Sequence, residues 1–132
     1  MNNKIYDCFT FFQENFITNL RFEILDEFVD YFIICESLHD HRGNKKKLNF
    51  KLKNSKFKKK IIYLVYEEPF KNNNDRWENQ AKQREHIFKG LNEAAPNDYI
   101  MFSDPDEIPR PDLLKNLDLK KNMEYFYRIF TA

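Results

Sequence analysis

Residues 4–12 read KIYDCFTFF and residues 29–35 read VDYFIIC. Both runs are short, apolar and rich in β-branched and aromatic side chains, the composition of strands covered on both faces. Between them, residues 18–28 place Leu20, Ile24, Leu25 and Phe28 at the spacing of an amphipathic helix. A strand, a helix and a second buried strand in succession form a β-α-β unit, whose strands run parallel in one sheet.

The alternation continues outward. Residues 36–47 read as a polar loop, and residues 48–60 as a basic segment for which a short helix is one reading. Residues 61–66 (IIYLVY) give a third buried strand. The run Asn72-Asn73-Asn74-Asp75 offers N-cap side chains. From it a helix is expected to about Leu91, with Trp77, Ala81, Arg84, Ile87, Phe88 and Leu91 on one stripe. Residues 99–102 form a fourth strand, residues 103–111 a loop rich in acid and proline, residues 112–117 a short helix and residues 125–130 (YFYRIF) a fifth strand. The expected fold is α/β, a mainly parallel sheet flanked by helices, in a single domain over residues 1–132.

Composition narrows the function classes. Hydrophobic residues are 42% and aromatics 17% of the chain, which argues against disorder. With only 2 glycines, neither common glycine-rich phosphate loop can be built. Lys and Arg total 22 against 21 Asp and Glu, so the chain as a whole has no pull toward nucleic acid or membrane. Locally the lysines crowd residues 45–47 and 56–60. Such a run reads first as a solvated face. The alternative is a non-catalytic interaction protein that uses residues 45–60 to bind an anionic partner. Cys8 and Cys35 lie in apolar runs and read as buried free thiols. No apolar run reaches the roughly 18–20 residues of a membrane span, and no signal peptide is visible. The expectation is a cytoplasmic protein working near a membrane surface.

Ligands of parallel sheets bind beyond the carboxyl ends of the strands, which directs attention to residues 10–14, 36–42, 67–71 and 103–110. The last of these holds Ser103-Asp104-Pro105-Asp106-Glu107-Ile108-Pro109-Arg110-Pro111. Three carboxylates close together repel one another unless a cation neutralises them, and hard carboxylate oxygens suit Mg²⁺ or Mn²⁺. Asp104 and Asp106, two apart in an extended chain, would point the same way. They could hold a metal that also binds a diphosphate and stabilises it as a leaving group. The prolines would stiffen the turn. The plain alternative is an acidic surface turn with helix caps, and a metal-dependent phosphohydrolase is a further reading of clustered aspartates. Arg84 sits on an apolar stripe, either as a snorkelling arginine paired with an acid or as an inward one bonding the acidic turn or a diphosphate. His39, His41 and Arg42 read as a solvated loop, since no metal-ligand spacing links them. Trp77 reads as core rather than sugar platform.

Several ordered pieces together resemble glycosyltransferase family 17. They are KIYDCFTFF, LRFEILDEFVDYFIICES, GNKKKLNF, the W-x5-QR of Trp77–Arg84 with Gly90-Leu91, and SDPDEIPRP, across residues 4–130. The resemblance implies a GT-A-like (Rossmann-like) enzyme of the β-1,4-mannosyl-glycoprotein 4-β-N-acetylglucosaminyltransferase kind. It would transfer a sugar from UDP-GlcNAc or a similar UDP-sugar to a glycan acceptor on glycoprotein, glycolipid or surface polysaccharide, with inversion and with Mn²⁺ or Mg²⁺. By position, Asp104 and Asp106 match the metal-binding Asp-x-Asp, and Asp104 and Arg84 face the donor. Thr10 and Phe11 end the first strand where the nucleotide is met, and Glu36 is placed for the ribose or uracil. Glu107 matches the acid that follows, and it is the only spare acid nearby for a catalytic base. No nucleic-acid partner is implied. Family members run well beyond this length, and in such enzymes the acceptor site and base generally come from the C-terminal half. The resemblance therefore implies an N-terminal, donor-binding portion, incomplete at its C-terminus: a fragment, a split gene product that would associate with a C-terminal half, or a degenerate copy that binds donor without transferring sugar.

Overall fold

The computed structural model describes residues 3–70 and 75–115. Strands β1 (Ile5–Phe11), β2 (Tyr31–Ser37), β3 (Ile61–Tyr66) and β4 (Tyr99–Phe102) form one sheet in the order β3-β2-β1-β4. Every neighbouring pair is parallel. The chain steps outward from β1 to β3, then crosses back to lay β4 on the free side of β1. This is the expected Rossmann-like α/β arrangement, and β1 and β4 flank its point of reversal. The expected strand at 125–130, Asn72–Asn74 and the end of the short helix expected to residue 117 lie outside the described residues.

Helices cover both faces. On one, α1 (Asn15–Leu25) sets Phe22 and Leu25 against Phe9, Phe11, Phe32, Ile34 and Phe57, with the Phe22 and Phe32 rings 4.9 Å apart and edge to face. On the other, the 3₁₀ turn Ile87–Leu91 that follows α2 (Arg76–His86) brings Ile87 against Tyr6, Cys8, Ile33 and Cys35. After β4, the short α3 (Pro111–Leu114) returns Leu114 to the α1 side.

Both long helices bury only part of the expected stripe: Leu25 and Phe28, and Ile87 and Leu91 in the turn after α2, pack inward as expected, and the rest of each stripe does not. In α1 the buried residues are Thr18, Arg21, Phe22 and Leu25, while Leu20 and Ile24 are 39% and 37% exposed. In α2 the buried residues are Asn79 and Gln83. Trp77 is 73% exposed and Phe88 62%, so Trp77 is not core. The cause lies in what each helix covers. The inner face of α2 passes over main-chain carbonyls near the carboxyl ends of β1 and β2, which accept from side-chain donors. The Gln83 amide donates to Cys35 O at 2.8 Å and to Phe11 O at 3.3 Å, and Asn79 donates to His41 O at 2.8 Å. Amides therefore turn inward and the aromatic residues outward.

Residues 49–53 lie alongside α1 and are stitched to it. Asn15 donates to Asn49 O and accepts from Lys51 N, and Asn19 does the same with Lys51 O and Lys53 N, at 2.7–2.9 Å. The basic segment then closes in a 3₁₀ helix, Ser55–Lys60, which buries Phe57. Lys60 donates to Asp26 O and Val29 O just past the carboxyl end of α1.

At Gly90 a helical turn lies close against the sheet. A Cβ there would lie 2.8 Å from Ile33 Cγ2 and 3.3 Å from a Leu64 methyl, and Ile33 is fully buried. Gly90→Ala is expected to lower the unfolding free energy by about 1–3 kcal/mol, the usual cost of overpacking, as measured by urea denaturation.

Cys8 and Cys35 are buried free thiols, as expected. Burial, with the Glu36 carboxylate adding to it, moves the Cys35 thiol from 9.0 to about 12, and burial raises Cys8 as well. The folded state therefore holds these protons more tightly than the unfolded one. The associated stability is fully present below pH 9 and is lost as the pH climbs toward about 12. Urea midpoints should fall across that window, less steeply in Cys35→Ala, and thiol reagents should label neither cysteine before unfolding.

Candidate active site at the carboxyl edge of the sheet

Asp7 lies in the middle of β1 on the α1 face, an unusual place for a charge. Arg21 of α1 meets it with a two-pronged contact, Nε to Oδ2 and Nη2 to Oδ1, both at 2.7 Å, and both side chains are fully buried. A buried charge pair is tolerable only when its remaining polar atoms are also satisfied. Here the rest of the guanidinium reaches the loop after β4. Nη2 donates to Ser103 Oγ at 2.5 Å, and Nη1 to the carbonyls of Asp104, Pro105 and Glu107 at 3.1, 3.3 and 2.9 Å. All three guanidinium nitrogens are engaged, and the ring of Phe9 lies 4.7 Å from its carbon.

The acidic segment is thus shaped from beneath. Glu107 N donates to Asp104 O at 3.0 Å, which closes a tight turn with Pro105 at its second position. The expectation of an extended Asp-x-Asp is corrected in this respect: proline and the convergence of carbonyls on Arg21 fold the segment back. Glu107 bends its carboxylate to the Asp104 N–H at 2.9 Å. Arg84 leaves the exposed side of α2 to pair with Asp104 at 3.0 Å, both side chains 46% exposed. Arg84 is not inward: an exposed arginine paired with an acid is the snorkelling reading, and the acid it meets is the acidic turn of the other reading. A half-exposed pair contributes about 0–1 kcal/mol, so Arg84 can exchange Asp104 for another anion at little cost.

Asp104, Pro105 and Asp106 line a cavity of about 300 Å³ together with Thr10, Phe12 and Glu14 after β1. Its far wall is His41, Gln80 and Gln83. The cavity opens where β1 and β4 end, at the reversal of strand order, where α/β sheets take their ligands. His41 departs from the expected solvated loop: its ring bonds Gln83 Oε1 at 2.8 Å and helps form the wall. Phe11 also lines this cavity, but its ring is 1% exposed and packs edge-on against Phe50, so it is a core residue first.

Glu36 departs from its expected role. Its carboxylate is fully buried and accepts from Lys46 Nζ, Asn49 N, Phe50 N and Tyr63 Oη at 2.6–3.0 Å. Those partners fill both oxygens, so Glu36 anchors residues 46–50 and has no acceptor left for a ribose or base. Asp7, Arg21 and Gln83 are site residues that carry no assignment from the sequence. The signal for the first two was on the page, as a charge inside an apolar strand and an arginine between apolar helix positions.

The donor set suits a divalent cation only in a shared mode. Among the described residues no three His, Cys, Asp or Glu side chains gather as a metal cage. Mg²⁺-type ions, however, commonly take one or two carboxylates and complete their shell with substrate phosphates and water. Asp104 and Asp106 on one cavity meet that requirement.

Arg21→Met should lower the unfolding free energy by about 3–5 kcal/mol, because it leaves Asp7 buried without its counter-charge. The double variant Asp7→Leu/Arg21→Met should recover much of that loss in the same urea titration.

A family model described as Glycosyltransferase family 17 matches residues 1–127. No curated protein and no solved structure matches the chain.

Proposed function

The chain belongs to glycosyltransferase family 17, and from that membership and the carboxyl-edge cavity we propose that it binds a nucleotide sugar there. The donor is UDP-N-acetylglucosamine or a close UDP-sugar, for transfer to a glycan acceptor with inversion. The observation that carries this reading is the placing of Asp104 and Asp106 on one cavity at the strand-order reversal, on a turn held by Arg21.

Charge makes the cation part of the reading. Asp104, Asp106, Glu107 and Glu14 against Arg84 leave a formal charge of −4 + 1 = −3 at the rim, which would repel a diphosphate. Asp104 and Asp106 would hold Mn²⁺ or Mg²⁺ jointly with the donor's phosphates. The cation supplies charge stabilisation to the departing nucleoside diphosphate. Arg84 is within reach of the same anion, through the contact it now makes with Asp104. Thr10 and the wall of His41 and Gln83 bound the rest of the donor. Glu107, whose carboxylate caps the turn, acts as a positioning residue rather than the base that an inverting transfer needs.

Titration calorimetry with UDP-N-acetylglucosamine tests this. Binding should require Mn²⁺ or Mg²⁺ and weaken by at least about tenfold in Asp106→Asn, a loss seen even for outer-shell changes at metal sites. Binding of equal strength with and without metal would overturn the reading.

A further inference from the structure

Away from the cavity, residues 45–60 contain nine lysines and no acid. Three are matched: Lys46 with Glu36, Lys56 with Glu23 and Lys60 with Asp26. The other six, Lys45, Lys47, Lys51, Lys53, Lys58 and Lys59, are exposed and have no ion-pair partner among the described residues. A charge this concentrated in a chain of net +1 is a local feature rather than a general solubility device.

The lysines do not stand alone. The outward side of α1 presents Phe16, Leu20 and Ile24 at four-residue intervals, 84%, 39% and 37% exposed. The asparagine ladder described above fixes the backbone of Lys51 and Lys53 directly beside this stripe. A groove of about 640 Å³ runs between the two, bordered by Phe16, Leu20, Lys51 and Lys53. Leu48 adds a further apolar side chain, 43% exposed, and Lys46 lies 5.5 Å from the ring of Phe12. Phe12 also lines the carboxyl-edge cavity, so the surface and the cavity share a border.

We infer that the face formed by α1 and residues 45–59 docks on a membrane surface rich in anionic phospholipid. Two weak signals combine in such docking, apolar side chains entering the headgroup region and lysines held by the negative surface potential. The aliphatic members of the stripe favour a bilayer over a nucleic acid, since Leu20 and Ile24 have no ring on which a base could stack. Among the described residues no helix is long and apolar enough to cross a membrane; the mode proposed for this face is seating on the surface. The inference rests on this face alone and is independent of the donor reading.

Flotation of the full chain with phosphatidylcholine vesicles, with and without phosphatidylserine, tests it. The chain should float with the mixed vesicles, stay behind with phosphatidylcholine alone, and detach as salt is raised. Lys51→Ala and Lys53→Ala should each weaken binding by roughly fivefold, the effect of about one lysine near a charged bilayer. Phe16→Ser, at a site too exposed to threaten the fold, should weaken it several-fold at unchanged circular dichroism. Equal recovery on both vesicle types, or no effect of Phe16→Ser, overturns the inference. So does tighter binding to a single-stranded RNA oligomer that Lys51→Ala weakens and Leu20→Ser does not.

Discussion

The candidate site hangs on the contact between Arg21 and Asp7. A charge in the central strand of a parallel sheet would ordinarily destabilise it, and an arginine on the inner side of the covering helix would do the same. Together, with the guanidinium also bonded to one hydroxyl and three carbonyls, they become the joint between sheet, helix and acidic turn. Buried pairs of this kind contribute little net stability compared with apolar packing. Their usefulness here is geometric, since a planar fork admits few arrangements of its partners.

A second buried carboxylate follows the same logic one strand over. Glu36 lies next to the last residue of β2 as Asp7 interrupts β1, and it gathers two backbone N–H groups, a lysine and a tyrosine. One acid organises the loop that carries the acidic turn, and the other the segment that carries the lysines. Gln83 adds a third fixture by bridging the ends of β1 and β2. In each case a polar side chain satisfies main-chain groups, either near the carboxyl edge of the sheet or in the segments packed beside it.

The strands were legible in the sequence because their apolar runs are continuous and end in polar residues, and the parallel order followed from the helical segments between them. The helix faces were legible only in part, through Leu25, Phe28, Ile87 and Leu91. Periodicity finds a stripe of apolar residues and takes it as the inner one. On α1 the stripe of Leu20 and Ile24 is real but faces outward, and on α2 the inner stripe is made of amides that periodicity counts as polar. The acidic turn was legible as composition, and so was its place after a buried strand. Its folded-back shape was not, because it depends on Arg21, distant in sequence by more than eighty residues from the carbonyls it holds. Glu36 was misread for a related reason: a strand-end acid looks the same in sequence whether its partners are a ligand or the protein's own backbone.

Arg21 grips the turn through the carbonyls of Asp104, Pro105 and Glu107, which any residue type would supply. Shape and chemistry are therefore inherited separately. A lineage could change either aspartate side chain and keep the loop's path intact, so that a descendant with altered cation preference, or none, would still fold to the same outline. Kinship detected from the fold of such a chain would not by itself imply that the reaction had been kept.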